Sequence, residues 1–467
     1  MFAEINTFLN NLIWGNILIY LLPALGIFFT ISSRFVQFRY FFKMFNILRG
    51  TAHDNSGHIS SFQALMLSVS GRVGVGNIAG VAVAITLGGP GAVFWMWLIA
   101  LVGMATSFFE CSLAQLYKEK DGMDSCLYRG GPAYYATKAL GQKWLGVVIS
   151  VLILITFGLA FNATQSFVIS TSFEATFNLP TWISGIALSI IFGITIFGGV
   201  RGIVKMSEVI VPIMALGYLL IALVVIALNI NEIPSLITMI ITEAFSPSSA
   251  IAGGIGAVIL QGTKRGMFSN EAGLGSAPNV AAVAYVAHPV QQGIVQSFSV
   301  FIDTIVICSC TAFIILLSDV YVPGVSGVQG ILLTQNALIE HIGPLGGYFV
   351  TIALLLFGFS SMIYNYYLAE NSLNFFVKGN VLIFSIFNIL FKSLPDKLFI
   401  QNIYIKSVTD STERILVTGD KWKITLNIKV NEPIYIYVFA IGISTVTDTP
   451  INTTWSEPQN LEKGLYT

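Results

Sequence analysis

Nine long apolar segments constrain the fold of this 467-residue chain more than any other feature. About 20 apolar residues are enough for a helix to cross the hydrocarbon core of a bilayer. The composition agrees with this interpretation, because only 10% of the residues are charged, whereas a soluble domain has roughly 25%. The sequence therefore predicts an all-α polytopic membrane protein surrounded by the lipid bilayer. The predicted spans are Leu9–Ile31, Phe62–Leu87, Ala92–Leu116, Leu145–Ile169, Trp182–Val200, Val209–Ile230, Ile251–Tyr285, Val295–Leu317 and Tyr348–Tyr367.

Charge and cysteine content exclude several classes of protein. The formal net charge is zero, which argues against nucleic acid as a partner. The four histidines are scattered over predicted loops, and no His-Glu-x-x-His motif is present. The four cysteines form neither a zinc-ligand pattern nor a disulfide framework. The sequence therefore predicts that the chain is not an enzyme.

The loops between the spans alternate in charge. Lysine and arginine follow the first, third, fifth and ninth spans, whereas four intervening loops contain neither. Since basic loops remain in the cytoplasm, this alternation predicts an N-terminus on the outside. The loops without lysine or arginine are 88–91, 171–181, 231–250 and 318–347.

Two of the predicted spans are interrupted by glycine and polar residues. The first contains SGRVGVGNIAG (Ser70–Gly80), and the second, Ile251–Tyr285, comes five spans later and runs the opposite way. Interrupted helices at matching positions of two oppositely oriented halves are typical of inverted-repeat secondary transporters. The alternative is that the glycines only allow helices to pack closely. The symmetry of the pair favours a transport site.

An interrupted helix exposes backbone groups that a continuous helix would satisfy. Gly71, Gly74 and Gly76 make an unwound conformation sterically inexpensive. The free N–H groups at the start of the outer half-helix suit a carboxylate, and the free carbonyls at the end of the inner half suit a dehydrated cation. Asn77 is a candidate ligand, or alternatively makes a hydrogen bond between helices.

Four charged residues within the predicted spans are candidates for coupling or gating. Charged side chains are costly inside a membrane and are commonly functional there. A structural role in ion pairs explains them equally well. These residues are Arg72, Arg265, Glu271 and Asp303.

Polar residues on the fourth and ninth spans are further candidates. Gln165 lies in FNATQSF, and Ser360 with Ser361 lies in FGFSSMIYNYY. Two adjacent hydroxyls that face a row of free carbonyls would complete a sodium site of hard oxygen ligands. The alternative is that the serines bond to the carbonyls of their own helix.

Seven motifs, taken together, resemble the alanine or glycine:cation symporters, also called sodium:alanine symporters. The resemblance extends over about residues 10–375 and keeps the order of the motifs. The first and fourth motifs are highly specific. The motifs are RVGVGNIAGVAVAITLGGPGAVFWMW (Arg72–Trp97), FFECSLAQLYK (Phe108–Lys118), GGPAYY (Gly130–Tyr135), QGTKRGMFSNEAGLGSAPN (Gln261–Asn279), HPVQQG (His288–Gly293), FIDTIVICSCTA (Phe301–Ala312) and FSSMIYNYYLAEN (Phe359–Asn371).

The resemblance implies a leucine-transporter-like fold, with two inverted five-helix repeats behind one extra N-terminal helix. It also implies sodium-coupled uptake of a small neutral amino acid by alternating access, in a bacterial inner membrane. Ser360 and Ser361 would bind sodium with backbone groups near Gly71, Val73 and Gly74. The expected substrate-binding residues are Gly74, Gly76, Asn77, Gln165, Phe268, Ser269 and Asn270.

The sequence departs from the family at two positions and in its C-terminal part. Phe167 stands where the family often has asparagine, and Asn365 where it often has tryptophan, which bears on substrate preference. After about Phe375, Val381–Leu394 is short for a span, and WKITLNIKV (Trp422–Val430) favours a β-strand. The expected organisation is an N-terminal helix and basic loop (1–61), a first repeat (62–230), an incomplete second repeat (250–395) and a non-family tail (396–467).

Three interpretations of the tail remain open. It is the product of a truncated or frame-shifted gene, a small β-rich appendage, or a segment of another origin, and the sequence favours the first. A transport-deficient copy of a symporter is therefore the main alternative function. An ion channel is a second alternative, because unwound carbonyls also line ion filters.

Overall fold

The computed structural model describes residues 8–51, 58–121, 126–196, 199–245, 254–322 and 330–377. Almost all of these residues are helical, and one short antiparallel hairpin joins two of the helices. The helices are α1 (Phe8–Ser32), α2 (Val36–Arg39), α3 (Lys43–Thr51), α4 (Ser61–Arg72), α5 (Gly76–Gly88), α6 (Gly91–Leu116), α7 (Pro132–Ala139), α8 (Lys143–Phe177), α9 (Thr181–Ile196), α10 (Gly199–Leu228), α11 (Ile233–Phe245), α12 (Gly254–Asn270), α13 (Ala277–Ala281), α14 (Pro289–Leu316), α15 (Ile331–Ile342) and α16 (Leu345–Val377).

Six helices in the described ranges are long and apolar enough to cross a membrane, namely α1, α6, α8, α10, α14 and α16. A seventh span consists of α4 and α5, which meet at an angle of 51°. The helix α9 is apolar but shorter, at 16 residues. The prediction of an all-α polytopic membrane protein is confirmed. The predicted tail, 396–467, and the short segment Val381–Leu394 lie outside the described residues.

The first interrupted span breaks where the sequence predicts it. The helix α4 begins with a capping box, in which Ser60 and Gln63 exchange hydrogen bonds between side chain and backbone. It ends at Arg72, and α5 begins at Gly76 in a π-helical turn. The bend therefore falls on residues 73–75, in the middle of the apolar run.

The second interrupted span breaks after Asn270, inside the predicted segment Ile251–Tyr285. Arg265 lies on the continuous helix α12, which ends at Asn270. The next residues adopt left-handed conformations, with φ of 53° at Glu271, 86° at Gly273 and 80° at Gly275. Glycine adopts this conformation readily, whereas for glutamate it is strained. The helix therefore ends where the backbone becomes left-handed, at Glu271, and not at Arg265.

Two of the predicted loops contain helices. The helix α11 lies in the loop 231–250, where Trp95 donates from Nε1 to the carbonyl of Ala244 at 3.1 Å. The helix α15 lies in the loop 318–347, and the Gln335 amide donates to the hydroxyls of Ser172 and Thr351 at 2.7 and 3.0 Å. Tertiary contacts therefore stabilise both helices, which are too short to be recognised as spans.

The hairpin after α6 carries a buried ion network that reaches α16. Strands β1 (Glu119–Lys120) and β2 (Tyr128–Arg129) pair so that Glu119 is opposite Arg129. Arg129 donates to Asp121 at 2.8 Å and to Glu370 of α16 at 3.0 Å. Burial lowers the pKa of the Arg129 guanidinium, but the carboxylates of Glu370 and Asp121 more than offset this, so its pKa lies above its usual value. The network therefore joins the hairpin to α16 while Arg129 stays charged.

Candidate functional site

The break in the first interrupted span redirects two backbone N–H groups. In a continuous helix, the N–H groups of Gly74 and Val75 would bond to the carbonyls four residues earlier. Instead, Gly74 N–H donates to Asn77 Oδ1 at 2.9 Å, and Val75 N–H donates to Gln165 Oε1 at 3.3 Å. Two side-chain oxygens thus satisfy the N–H groups just before the half-helix α5. Any ligand carboxylate at this position would replace them.

The carbonyls released by this break face two serine hydroxyls on α16. Ser361 Oγ donates to the carbonyl of Ser70 at 3.0 Å and lies 3.5 Å from that of Gly71. Ser360 Oγ lies 3.4 Å from the Ser70 carbonyl. Both hydroxyls also bond to the Phe357 carbonyl of their own helix at 2.9 Å. Back-bonding is therefore present, but it does not prevent the hydroxyls from facing the free carbonyls.

This group of oxygens is buried and uncharged. Ser70, Ser360 and Ser361 are each at most 1% exposed. Hydroxyl and carbonyl oxygens are hard ligands of the kind that alkali and alkaline-earth cations prefer. The arrangement is chemically suited to a small cation that has lost its water.

A second polar group joins the two interrupted spans to α14. Asn77 Nδ2 donates to Asp303 Oδ1 at 2.5 Å and to Ser269 Oγ at 3.2 Å. Ser269 Oγ donates in turn to Asp303 Oδ2 at 2.9 Å. All three residues are buried. A single carboxylate therefore holds the first and second interrupted helices together through one residue of each.

Asp303 is bonded to polar groups but not to a basic side chain. Thr304 Oγ1 donates to Asp303 Oδ2 at 2.6 Å. Within the described ranges, the ion pairs are those of Arg129 and Lys138, and neither involves Asp303. A buried carboxylate without a cation partner is costly. The position of Asp303 would therefore favour a bound cation or a proton.

Glycines bring the two half-helices close to their neighbours. A Cβ atom on Gly74 would lie 2.5 Å from Ser361 Oγ and 3.3 Å from Gln165 Nε2. A Cβ atom on Gly76 would contact the ring of Phe268 at 3.5 Å. The candidate site is therefore narrow, and it is enclosed by Ser361 on one side and by Phe268 on the other.

A larger cavity of about 500 Å³ lies among α1, α8 and α12. Phe268 forms part of its wall, and its ring centroid lies 5.5 Å from that of Phe161. Arg265 also lines the cavity, and its Nε has no partner within the described structure. Phe268 therefore contacts both this cavity and the narrow site at Gly76.

The charged residues at the two breaks bond to neutral groups. Arg72 donates from Nη2 to Ser107 Oγ at 3.0 Å, and its Nε and Nη1 have no partner in the described part of the chain. The Glu271 carboxylate accepts from Ser276 at 2.5 Å and from Tyr364 at 3.2 Å. Both side chains are buried. Within the described structure, hydroxyl groups and not opposite charges therefore form the hydrogen bonds of both side chains.

The candidate residue Asn270 and the two positions that depart from the family, Phe167 and Asn365, do not contact Asn77 in the described structure. The Asn270 side chain accepts the backbone N–H of Ala272 at 3.0 Å and lies against Gly103 of α6. Phe167 is 69% exposed on α8. Asn365 is buried and donates to Asn162 at 3.0 Å. Asn270 therefore shapes the turn after α12 and does not contact Asn77.

Three residues of the site are absent from the sequence-based set. Thr311 donates to the Asn77 carbonyl at 2.8 Å, Cys308 lies 3.2 Å from Ser269 Oγ, and Tyr364 contacts Glu271. Tyr364 lies four positions after Ser360 on one helix, so helical spacing could have indicated it. Cys308 ends a π-helical stretch, Phe301–Cys308, and Thr311 follows it. A π-helical turn rotates the later residues of α14 relative to α-helical spacing, so that spacing does not indicate these two residues.

Comparison with known proteins adds independent information. The family model of the sodium:alanine symporter family matches residues 1–394 and so continues past Phe375, where the motif resemblance ends. The amino-acid carrier protein AlsT of Bacillus subtilis is 49% identical over 366 residues, which cover 78% of this chain and 77% of AlsT. The probable sodium/glutamine symporter GlnT of the same organism is 48% identical over 377 residues (80% and 78%). The sodium/alanine symporter AgcS of Methanococcus maripaludis is 37% identical over 375 residues (78% and 82%).

A solved structure shares the fold. A mutant manganese transporter of Eremococcus coleocola superposes with a TM-score of 0.50 at 11% identity, covering 73% of this chain and 72% of that one. At this level of identity the likeness concerns the architecture alone.

Proposed function

The chain belongs to the sodium:alanine symporter family, and we propose that it carries a small neutral amino acid, alanine or glycine, into the cell together with sodium. A membrane transport protein of this kind works by alternating access between two sides of the bilayer. The observation that carries the proposal is the diverted backbone at residues 73–75, which presents carbonyls on one side and N–H groups on the other.

Sodium is proposed to bind at Ser360 and Ser361 with the backbone near Gly71, Val73 and Gly74. The carbonyl of Ser70 belongs to the same group, because it already accepts the Ser361 hydroxyl at 3.0 Å. A cation there would take over the carbonyls that the two hydroxyls now contact, and the hydroxyl oxygens would face it. Since these ligands come from α4 and α16, the ion would favour the arrangement in which the two helices are close.

The amino acid is proposed to bind at the start of the outer half-helix. Its carboxylate would accept the N–H groups that Asn77 and Gln165 now accept, assisted by the positive end of the helix dipole. The close contacts of Gly74 and Gly76 leave room for a small side chain only. Phe268, Ser269 and Asn270 complete the proposed set, with Asn270 acting through the turn that follows α12.

The similarity to GlnT, a probable sodium/glutamine symporter, makes glutamine the second candidate substrate. The cavity of about 500 Å³ next to Phe268 supports this alternative. A rotation of Phe268 would join that cavity to the narrow site and admit a longer side chain. Competition between alanine and glutamine for uptake separates the two candidates.

Coupling between sodium binding and amino-acid transport is proposed to depend on Asp303. This carboxylate bonds to both interrupted helices, through Asn77 and Ser269. Movement of either half-helix would break one of these hydrogen bonds. Arg72, with two unpartnered nitrogens, and Glu271, at the second break, are the proposed gating residues together with Arg265. Entry of one net positive charge gains about 2.3 kcal/mol per 100 mV, which corresponds to about 50-fold accumulation.

Uptake into proteoliposomes tests the proposal. Labelled alanine is expected to accumulate when sodium is outside and not when choline replaces it, and uptake is expected to saturate and to exchange with unlabelled alanine. Equal uptake in choline contradicts sodium coupling. Non-saturable flux favours the channel. A folded protein without any uptake favours the transport-deficient copy.

The variant Asn77→Ala tests the site. It removes the donor to Asp303 and the acceptor for Gly74 and is expected to abolish uptake while the protein remains folded. Asn229→Ala is the matched control, because Asn229 bonds to the carbonyl of Val225 at the end of α10. Wild-type uptake by Asn77→Ala would show that the site lies elsewhere.

A further inference from the structure

The segment that follows α1, residues 34–49, carries four cations and no acid. All four side chains are exposed, and Arg39 and Lys43 lie over the ring of Tyr40 at 5.3 and 5.4 Å. Aspartate and glutamate are absent from this segment and from the residues next to it. The cations are Arg34, Arg39, Lys43 and Arg49. We refer to residues 34–49 as the basic-aromatic segment.

Phenylalanine residues alternate with these cations and are also exposed. Phe42 is 80% exposed, and the others are between 40% and 57% exposed. Exposure of phenyl rings to water is unfavourable, because it leaves apolar surface hydrated. A surface that combines exposed phenyl rings with cations matches the boundary between acyl chains and headgroups. The remaining rings are those of Phe35, Phe38 and Phe45.

The opposite face of the segment is fixed to the protein. Gln37 is buried and donates to Thr30 Oγ1 at 3.1 Å and to the carbonyl of Leu101 at 3.3 Å. Met44 is buried in a hydrophobic cluster with residues of α6 and α14. The Phe41 ring centroid lies 5.0 Å from that of Phe301. The segment therefore cannot turn its cations and rings inward, and it leaves them at the end of the span α1, where the membrane surface is.

We infer that the basic-aromatic segment is a binding surface for anionic lipid headgroups, with its cations on the phosphates and its phenyl rings among the upper acyl chains. Charge complementarity favours anionic over zwitterionic lipid, because each arginine or lysine near an anionic surface strengthens the binding to that surface about fivefold. The inference does not depend on which side of the membrane the segment occupies.

This surface is mechanically linked to the proposed transport site. Phe301 precedes Asp303 by two residues on the π-helical stretch of α14. Phe41 packs edge-on against both Phe301 and Phe298. Lipid bound to the segment would therefore hold α3 against the part of α14 that carries the Asp303 carboxylate.

Fluorescence quenching tests the inference without any transport step. The full-length variant Phe42→Trp is reconstituted in phosphatidylcholine vesicles that contain increasing fractions of brominated phosphatidylglycerol. The wild-type chain, which has seven tryptophans, supplies the background. Stronger quenching by brominated phosphatidylglycerol than by brominated phosphatidylcholine is expected. Equal quenching by the two lipids would overturn the inference.

Charge variants locate the effect. In the Phe42→Trp background, Arg34→Gln/Arg39→Gln/Lys43→Gln is expected to raise the lipid fraction for half-maximal quenching at least about tenfold. The matched control removes three exposed cations elsewhere, Lys120→Gln/Lys143→Gln/Lys205→Gln. This control is expected to leave the lipid fraction for half-maximal quenching unchanged. An equal shift in the control would show that quenching depends on the total surface charge, and it would contradict lipid binding at the basic-aromatic segment. Quenching by neither lipid, with cross-linked dimers instead, would assign the surface to a second copy of the chain.

Discussion

Replacing Ser361 with alanine is expected to weaken the dependence of uptake on sodium. The hydroxyl lies 3.0 Å from the Ser70 carbonyl and 3.5 Å from that of Gly71, and the side chain is 1% exposed. Without it, Ser360 at 3.4 Å is the remaining hydroxyl at the Ser70 carbonyl. Leaving a buried acceptor without its partner costs about 1–3 kcal/mol. If sodium binding carries that cost, its apparent affinity falls about 5- to 150-fold.

The assay is the initial rate of alanine uptake into proteoliposomes as a function of external sodium. Ser361→Thr keeps the hydroxyl and is expected to retain most of the sodium affinity. Ser68→Ala is the matched control, because Ser68 is a buried serine on α4 whose hydroxyl has no partner in the described structure. It is expected to behave as wild type.

Three results would refute this reasoning. Ser361→Ala with unchanged half-saturation by sodium would show that the hydroxyl does not bind the ion. A higher alanine KM at unchanged sodium affinity would assign Ser361 to the substrate. An equal loss in Ser68→Ala would attribute the effect to folding, which thermal unfolding of the purified variants measures directly.

Three further predictions concern the breaks, the ion network and the orientation. Gly71→Ala is expected to lower the thermal unfolding temperature and the yield, because its Cβ would overlap the ring of Tyr364, whereas Gly80→Ala, whose Cβ would have no atom within 4 Å, is expected to be neutral. Arg129→Gln removes the guanidinium that bridges two buried carboxylates and is expected to lower the free energy of unfolding by about 3–5 kcal/mol, whereas Lys138→Gln, at an exposed pair, is expected to change it by less than about 1 kcal/mol. Equal unfolding temperatures within either pair would contradict these packing and charge arguments. In intact cells, Cys126 is expected to react with a membrane-impermeant maleimide only after permeabilisation. Labelling without permeabilisation would contradict the predicted topology.

Local features of the sequence were sufficient to predict the class of fold and the first break. A run of apolar residues is a local property, and so is the glycine content of residues 71–76, since each acts through the backbone of its own segment. The second break lies within the predicted segment, Ile251–Tyr285, but the sequence did not specify at which residue the helix ends. Its position depends on the left-handed conformations at Glu271, Gly273 and Gly275, which the charged residues before them do not indicate.

The arrangement of the candidate site depended on contacts between distant parts of the chain. Residues 77 and 303 are 226 positions apart, yet their side chains lie 2.5 Å from each other. Ser269 and Asn270 are neighbours, and the sequence suggests both equally as substrate-binding residues. At the end of α12, however, Ser269 bonds to Asp303, whereas Asn270 lies against Gly103 of α6.

The sequence by itself determined that the chain crosses the membrane repeatedly, that it has two interrupted spans and which polar residues accompany them. The tertiary structure alone decided which of those residues meet, that Thr311 and Tyr364 join them, and that α11 and α15 are helical. The physical reason is that hydrophobicity and glycine content act on a residue's own segment. The direction of a side chain at a break depends instead on which neighbouring helix satisfies its hydrogen bonds.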